Sequence, residues 1–504
     1  MALSTLKDYV NFNFKKNPDS NFIICPHTKN KISNKKIKLN LDKINFYLTQ
    51  KKKLKKNSII CTLAENSLTS IQLMLGIMYS GMINVPLNLV AGEKQLAYVL
   101  NHSESKILFS TKSNINLARK VLEKSKKTVE LIEIDKNNFI DNLEDVQKKE
   151  TVELYGSDNA LLMYTSGTTG KPKGAMLTHD NILNGGKNVL LSHNLNKLDK
   201  ALCVLPLYHI NGFIVTVMGP LVSNSSLVLC EKFSATNFWH QISKFKCTWF
   251  SIVPTIVSSL INKYSENEFK LLNTSMVKFG RSASAALAPE THKEFEKKFG
   301  INLIETMGLT ETCAPILSNP VDPSKIKYGS PGIAYGNDVK ILDHNFIEVK
   351  RNEIGQICVR GKNVMREYYK NPEETKKSFY KDWFLTGDLG LMDDDKFVFV
   401  KGRIKELIIK GGENISPREI DDVLYKHPNV LEAAAFGVKC NHYGEKIEAG
   451  IVLKEKKKST EDEIIKHCNN YLGKFKSPDK VHFFDELPKG SSGKIQRLKI
   501  KDFI

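Results

Sequence analysis

A loop rich in glycine, threonine, serine and lysine follows a short apolar run and carries the strongest chemical signal in the chain. Residues 162–174 read Leu-Met-Tyr-Thr-Ser-Gly-Thr-Thr-Gly-Lys-Pro-Lys-Gly. Glycine lets the backbone approach an anion and present its N–H groups, hydroxyl groups add donors, and lysine adds positive charge. The pattern therefore predicts a phosphate-binding loop after a strand. It does not satisfy the GxxxxGK[ST] spacing of a Walker A loop.

The elements that must position this loop alternate between strand and helix. Over the first 150 residues, short apolar runs predict strands and Lys-rich amphipathic stretches predict helices. This rhythm is typical of an α/β fold. The predicted strands are 57–63, 83–87, 106–110, 158–162, 202–206, 227–229 and 248–253, and the predicted helices are 67–83 and 114–126.

The composition changes near Gly402. Before it, the runs 355–360 and 396–401 predict strands of a more antiparallel region. After it come a strand candidate at 405–410, a helix at 417–426, strands at 430–436 and 448–453, and a helix at 460–472. A unit of about 100 residues is the size of a small α+β domain. We place the domain boundary at 401–405.

Charge and composition exclude several classes of protein. The chain has 504 residues, of which 41% are hydrophobic and 26% charged, which is typical of a folded globular protein. Its 74 basic and 55 acidic residues give a net charge of +19. Only eight of the basic residues are arginine, the residue that nucleic-acid readers favour. The lysine excess indicates a base-composition bias of the source genome together with a solvated protein surface. No nucleic-acid partner is therefore predicted.

Cysteine usage and hydropathy predict a cytoplasmic location. The chain has nine scattered cysteines and no CxxC pair, which indicates free thiols in a reducing compartment and no structural zinc. Residues 1–19 lack the apolar core of a signal peptide. The longest apolar candidate, 213–222, is too short to cross a bilayer, so no membrane span is predicted.

Several motifs together resemble those of the adenylate-forming enzymes, which include acyl- and aryl-CoA synthetases, luciferase and peptide-synthetase adenylation domains. Their order and spacing match over nearly the whole chain. The resemblance implies a large, multi-subdomain N-terminal adenylating domain with mixed β-sheets (1–402) and a small, mobile α+β C-terminal domain (403–504). The motifs are Thr165–Gly174, Pro206–His209, Met307–Glu311, Tyr328–Gly332, Trp383–Asp388, Gly402–Lys405 and Pro488–Lys494.

The resemblance also implies a reaction in two steps. A carboxylate is a poor acylating agent because its leaving group would be oxide. Adenylation of the acid with ATP makes AMP the leaving group, after which a thiol attacks. The segment Lys410–Asn414 resembles the acyl-CoA synthetase version, which favours coenzyme A as the thiol. Transfer to the phosphopantetheine of a carrier protein is the alternative. Another class of function is a catalytically inactive protein that uses this fold to sense a nucleotide or an acid. Such a protein would be expected to have lost Lys494, Glu311 or Asp388, but all three are present, which disfavours this alternative.

By resemblance, the loop holds the β- and γ-phosphates of ATP. Glu311 is implied as the ligand of Mg²⁺ and Thr310 as the hydroxyl beside the α-phosphate. Read without the motif, Glu311 would be a helix-capping carboxylate. The loop residues assigned to the phosphates are Thr165, Ser166, Gly167, Thr168, Thr169, Gly170 and Lys173.

The nucleoside has its own implied contacts. Asp388 resembles the carboxylate that accepts both ribose hydroxyls, although by itself it would be a turn residue. Arg403 is expected to support the ribose or a phosphate. Met307 occupies the position where the family often has an aromatic residue that stacks on adenine. A methionine can pack against the purine but cannot form a π-stack with it. The residues placed around the adenine are Ser284, Ala285, Ala286, Glu305, Thr306 and Met307.

The remaining implied residues concern the lid and the acid. Lys494 would bridge the attacking carboxylate and the α-phosphate, whereas without the motif it would be one of many solvent-facing lysines. Lys405 matches the hinge position of the family. The glycines Gly411 and Gly412 would let a pantetheine arm pass close to the backbone.

The acid pocket is expected between 208–209, Val253, 282–285 and Met307. His209 is expected to gate the carboxylate or to contact the substrate. Arg281 could hold a second carboxylate or pair with an acidic surface residue. The segments 281–289 and 318–320 resemble the oxalate–CoA ligase branch, which usually has a histidine where this chain has Ala314. The sequence leaves three classes of substrate open: short aliphatic, dicarboxylic and fatty acids. It also leaves open whether the protein forms a homodimer.

Overall fold

The computed structural model describes residues 3–146, 152–165, 171–440, 442–455, 457–490 and 494–504. Across these residues the strands form four sheets of nine, seven, five and five strands. The first three sheets belong to the chain before Ile404 and the fourth begins at Ile408. The predicted α/β class, with a large N-terminal part and a smaller C-terminal part, is confirmed.

The nine-stranded and seven-stranded sheets are mixed: both have parallel centres, and the nine-stranded sheet is antiparallel at both edges, whereas the seven-stranded sheet is antiparallel only at the edge that contains Glu367–Tyr368. In spatial order the nine-stranded sheet contains Ile333–Ala334, Leu317–Ser318, Leu303–Met307, Phe279–Ser282, Trp249–Ile252, Lys200–Cys203, Ser226–Leu229, Asn21–Ile24 and Lys31–Ser33. The seven-stranded sheet contains Glu367–Tyr368, Lys173–Thr178, Asn159–Thr165, Ile83–Pro86, Ile59–Leu63, Ile107–Thr111 and Glu130–Ile134. Parallel strands need covering helices on both faces, which accounts for the largely apolar, fully buried sequences of central strands such as Ile59–Leu63 and Ile107–Thr111.

The two five-stranded sheets are mainly antiparallel. One contains Asp338–Leu342, Gly355–Arg360, Trp383–Met392 and Phe379–Tyr380, with Val398–Arg403 paired beside Trp383–Met392. The C-terminal one contains Glu413–Ile415, Ile408–Lys410, Gly444–Leu453 and Val430–Cys440, with Lys480–Phe483 paired in parallel beside Gly444–Leu453. The antiparallel character predicted for 355–401 is therefore confirmed.

Helices cover the sheets and supply the core. The helix Leu68–Tyr79 is buried along its whole length, because it packs between a sheet and the helix Asn34–Phe46. Its start is specified by Ser67 and Ser70, which form a reciprocal capping box. The α-helices are Leu6–Lys16, Asn34–Phe46, Leu68–Tyr79, Glu93–Ser103, Ile115–Glu123, His179–Ser192, Gly219–Ser223, Ala235–Phe245, Pro254–Lys263, Glu266–Lys270, Pro289–Phe299, Pro372–Lys377, Pro417–Leu424 and Glu461–Lys476.

Short helices of other types mark several connections. Two π-helical segments, Tyr47–Lys51 and Asn211–Met218, adjoin α-helices. The 3₁₀ turns are Lys112–Asn114, Thr310–Thr312, Pro323–Lys325, Ile404–Glu406 and Arg497–Phe503. Within the described ranges, the helices are all too short or too polar to cross a membrane.

Gly332 joins the nine-stranded sheet to the antiparallel sheet that follows it. Its carbonyl accepts the Val398 N–H at 3.0 Å, and its own N–H is donated to Ser330 Oγ at 3.0 Å. Gly332 has φ +97°, and a Cβ placed on it would lie 2.0 Å from the backbone of Ser318. The position therefore has room for glycine only.

We expect Gly332→Ala to lower stability by about 3 kcal/mol or more, because it adds left-handed strain to a backbone clash. Thermal unfolding of the purified protein measures this. Gly300→Ala is the matched control, since Gly300 has φ +62° but open space around it, and it should cost only about 1 kcal/mol. Equal losses for the two variants would contradict the clash.

Candidate active site

A cavity of about 230 Å³ lies between the large N-terminal part and the C-terminal part of the chain. Predicted site residues from three separate regions of the sequence meet in its wall, and so does Val253 of the expected acid pocket. The predicted site residues that line it are Ser284, Ala285, Ala286, Glu305, Thr306, Met307, Asp388, Arg403 and Lys494.

Asp388 and Arg403 form the central ion pair of this wall. The strands Trp383–Met392 and Val398–Arg403 are antiparallel, and their register places the two residues opposite each other. Arg403 Nε donates to Asp388 Oδ1 at 2.9 Å. Burial raises the pKa of Asp388, while the charges of Arg403 and Lys494 oppose that rise. The remaining acceptor capacity of Asp388 suits a vicinal diol such as that of ribose.

Lys494 enters the cavity from the C-terminal segment. Its carbonyl accepts the N–H of Gly490 at 2.7 Å. Burial, followed by the charge of Arg403, lowers the pKa of Lys494, and the carboxylates of Glu406 and Asp388 partly offset this. The side chain thus lies beside a second basic residue, which is a suitable environment for an anionic reactant.

The segment 284–286 and the strand Leu303–Met307 form the opposite wall. Ser284 has φ +73°, a conformation that turns the chain out of the strand Phe279–Ser282. Glu305 is buried, and its Oε1 accepts the N–H of Leu287 at 3.1 Å. Burial raises the pKa of Glu305, and the charge of Arg418 partly offsets the rise.

The predicted phosphate loop connects two paired strands. Thr165 ends the strand Asn159–Thr165 and lies opposite Lys173, the first residue of Lys173–Thr178. The two ends of the loop are therefore held side by side by the ladder. Ser166, Gly167, Thr168, Thr169 and Gly170 lie outside the described residues.

Tyr368 connects the loop lysine to the predicted metal ligand. The Lys173 ammonium lies 4.6 Å above the Tyr368 ring and 2.6 Å from Glu374 Oε1. Tyr368 donates its hydroxyl to Glu311 Oε1 at 2.7 Å. Burial, and then the charge of Glu311, raise the pKa of Tyr368, so its hydroxyl stays protonated and keeps donating. The hydrogen bond with Lys173 lowers the pKa of Glu374.

Glu311 fits a magnesium ion that is held mainly by its substrate. It lies in the 3₁₀ turn Thr310–Thr312, directly after Thr310 in the chain. Within the described ranges, no cluster of three or more His, Cys, Asp or Glu side chains has metal-binding geometry. A single carboxylate near the predicted phosphate loop suits Mg²⁺, because phosphate oxygens and water can supply the other ligands of the ion.

Other predicted residues lie outside the wall of this cavity. His209 lies in a turn just before the π-helical segment Asn211–Met218, with its ring 5.0 Å from that of Tyr208. Lys405 is exposed in the turn Ile404–Glu406. Gly411 and Gly412, with φ +60° and +85°, form the tip of the hairpin that follows.

Arg281 does not pair with an acidic surface residue, so that alternative is wrong. Its side chain is 1% exposed, and Nη1 donates to Asn211 Oδ1 at 2.6 Å and to Ser251 Oγ at 2.8 Å. The strand Phe279–Ser282 lies inside the nine-stranded sheet, which buries the side chain. Strand position, rather than residue type, decides its exposure.

Several cavity residues were not predicted from the sequence. Arg497 binds Asp421 with two hydrogen bonds of 3.2 and 2.5 Å, which anchors the segment that carries Lys494. Glu406 lies 3.5 Å from the same guanidinium. The scarcity of arginine in this chain is the one signal that could have drawn attention to Arg497. Tyr368 and Glu374 had no comparable signal.

Comparison with known families agrees with this arrangement. The AMP-binding enzyme family matches residues 11–369, and the AMP-binding enzyme C-terminal domain matches residues 419–494. The chain belongs to the AMP-binding enzyme family. It is 42% identical to the sulfoacetate–CoA ligase of Cupriavidus necator, over 85% of this chain and 84% of that protein. It is 36% identical to the oxalate–CoA ligase of Saccharomyces cerevisiae, over 87% and 85%.

Solved structures show the same fold. ATP-bound MatB from Rhodopseudomonas palustris aligns with a TM-score of 0.89 at 28% identity, covering 99% of both chains. The o-succinylbenzoate CoA synthetase of Bacillus subtilis, in complex with its acyl-adenylate, aligns with a TM-score of 0.86 at 27% identity, covering 98% of both. The predicted activity, ATP-dependent ligation of a carboxylic acid to coenzyme A through an acyl-adenylate, is confirmed, as are ATP, Mg²⁺ and coenzyme A as its cofactors.

We expect Tyr368→Phe to lower kcat/KM for ATP about tenfold or more, since a hydrogen bond to a charged group contributes about 1.5–3 kcal/mol. The ring would remain beneath Lys173, but Glu311 would lose the donor that orients it. Pyrophosphate release at varied ATP and Mg²⁺ measures the effect.

Tyr380→Phe serves as the matched control, because the Tyr380 ring stacks on Phe346 at 4.2 Å and does not line the cavity. Its kcat/KM for ATP should equal that of the wild type. If Tyr368→Phe also leaves kcat/KM and the Mg²⁺ dependence unchanged, Tyr368 does not position Glu311.

Proposed function

We propose that the chain activates a small carboxylic acid as its acyl-adenylate, with Asp388, Arg403 and Lys494 as the principal catalytic and nucleotide-binding groups. The observation that carries the assignment is the meeting of these three residues in one cavity wall with the segment 284–286 and Met307. The named relatives, sulfoacetate–CoA ligase and oxalate–CoA ligase, support an acid of small size.

In the first step, an oxygen of the acid attacks the α-phosphorus of ATP, and the bond to the bridging oxygen breaks to release pyrophosphate. Two anions must approach each other, so Lys494 is proposed to lie between the carboxylate and the α-phosphate. Asp388 would accept the ribose hydroxyls, and Arg403 would hold Asp388 and face the phosphate. Adenine would lie against Ser284, Ala285 and Ala286, with Glu305, Thr306 and Met307 on the adjoining strand.

The polyphosphate is proposed to lie at the loop between Thr165 and Lys173, with Ser166, Gly167, Thr168, Thr169 and Gly170 supplying donors. Lys173 would exchange its ion pair with Glu374 for a phosphate. Bound Mg²⁺ neutralises charge on the phosphate oxygens. Glu311 would hold the ion, Tyr368 would keep Glu311 oriented, and Thr310 would lie beside the α-phosphate.

In the second step, the sulfur of coenzyme A attacks the acyl carbon, the thiol proton is lost and AMP leaves. We propose that residues 403–504 rotate about Lys405 between the two steps, with 1–402 as the adenylating domain. The structure has Lys494 inside the cavity and the Gly411–Gly412 turn outside it, which supports the adenylating arrangement. Rotation would withdraw Lys494 and bring the turn to the pantetheine arm. His209 would gate the carboxylate or contact a group of the acid.

The cellular location, the oligomeric state and the lack of a nucleic-acid partner are further proposals. All nine cysteines are free thiols, which supports a cytoplasmic location. The predictions of a homodimer and of no nucleic-acid partner rest on the sequence alone.

Lys494→Ala should reduce adenylation by about a hundredfold to a thousandfold, as removal of a preorganised charge stabiliser does, and leave thioester formation from supplied acyl-AMP largely intact. Pyrophosphate release reports the first step, and acyl-CoA formed from acyl-AMP reports the second. Lys499→Ala is the control, because Lys499 lies on the same C-terminal segment outside the cavity wall. Equal loss of both steps in Lys494→Ala would contradict the assigned role.

The acceptor is tested with a library of carboxylic acids, ATP and Mg²⁺, with pyrophosphate scored with and without coenzyme A. We expect at least one small acid whose turnover coenzyme A increases, with acyl-CoA as the product, because the free thiol removes the bound adenylate. Pyrophosphate release without any stimulation by coenzyme A would favour a carrier protein as acceptor.

A further inference from the structure

Arg281 is a buried cation without a carboxylate partner. It belongs to the strand Phe279–Ser282, and both of its hydrogen-bond acceptors, Asn211 and Ser251, are neutral. Across the described part of the chain, no Asp or Glu lies within ion-pair distance of it. Burial lowers the pKa of Arg281 to about 9, which still leaves the guanidinium charged at neutral pH. An unpaired buried charge is costly to folding, so its presence calls for an anion that the chain does not provide.

A short chain of hydrogen bonds leads from this cation to the cavity. Asn211 Oδ1 accepts from Arg281 Nη1 at 2.6 Å and from Ser251 Oγ at 3.0 Å, and this fixes the orientation of the amide because arginine can only donate. Asn211 Nδ2 then donates to Ser284 Oγ at 3.1 Å. Ser284 lines the cavity.

This arrangement also sets the direction of the Ser284 hydroxyl. Since Ser284 Oγ accepts the Asn211 amide hydrogen, its own hydrogen is left for an acceptor in the cavity. Each donor in the chain is polarised by the charge behind it, which strengthens the last one. The cavity wall at Ser284 thus presents a donor backed by a positive charge in a medium of low dielectric constant.

We propose that Arg281, acting through Asn211 and Ser284, makes this cavity selective for small carboxylic acids that carry a second negatively charged group. The proposal rests on the proposed acid-activating function of the same cavity. In it Arg281 and Asn211 are positioning residues, since neither lines the cavity wall. A structural role alone would make Arg281 a link between neighbouring strands with no effect on the choice of acid.

The test compares acids that differ by one charge at nearly the same shape, namely oxalate with oxamate and malonate with malonamate. In the wild type, we expect kcat/KM for the dianion to exceed kcat/KM for the matching monoanion by about tenfold or more in at least one pair. A buried positive charge near the site can produce a preference of this size. Arg281→Met should bring that ratio close to one, and Arg281→Lys should keep part of it. Arg119→Met is the matched control, because Arg119 is exposed on the helix Ile115–Glu123.

Asn211→Asp provides a second test that does not depend on the folding of Arg281→Met. The change is nearly isosteric and gives Arg281 a counter-ion within the core. We therefore expect the unfolding temperature of the variant to equal or exceed that of the wild type. The same change removes the amide donor to Ser284 and neutralises the cation, so the preference for the dianion should disappear. A purely structural Arg281 predicts no change in this ratio for either variant.

A folded Arg281→Met or Asn211→Asp protein that keeps the wild-type ratio would overturn the proposal. A wild type that activates monocarboxylic acids and rejects both dianions would also overturn it, while leaving the acid-activating function in place. Absence of pyrophosphate release with every acid would instead contradict the proposed function itself.

Discussion

The site depends on the pairing of Asp388 with Arg403 across two antiparallel strands. A carboxylate buried without a partner would be neutralised or would destabilise the fold, so the guanidinium is required wherever Asp388 is placed. The strand that carries Arg403 is also the last strand of its sheet, and the C-terminal sheet begins a few residues later at Ile408. The residue that balances the charge of the cavity is therefore also the residue at which the chain leaves the N-terminal sheets.

Charge balance explains the rest of the cavity wall. Lys494 lies close to Arg403, whose charge lowers the pKa of Lys494 after burial has done so, and the nearby carboxylates of Glu406 and Asp388 partly offset this. At the end of the predicted phosphate loop, the charge of Lys173 is balanced by Glu374. ATP and coenzyme A are polyanions, so these cations can exchange an internal carboxylate for a substrate group without a large change in solvation.

Much of the site could be predicted from the sequence because its residues lie in short motifs. Thr165, Lys173, Glu311, Asp388 and Lys494 each stand in a segment whose residue types carry their chemistry. Tyr368, Glu374 and Arg497 could not be found in this way. Their roles depend on contacts with residues far along the chain, such as Tyr368 with Glu311 and Glu374 with Lys173, and residue type alone does not specify such contacts.

The sequence by itself indicated the α/β class and many of the strands and helices, because periodicity is a property of neighbouring residues. The chemistry of acid activation followed from the resemblance of its motifs to those of the adenylate-forming enzymes. Only the tertiary structure decided that Arg281 is buried and that hydrogen bonds through Asn211 connect it to Ser284 in the cavity wall. Burial depends on which strands become neighbours in the sheet. Strands become neighbours through packing between residues that are far apart in the sequence. The residues of one strand do not specify which other strands will lie beside it.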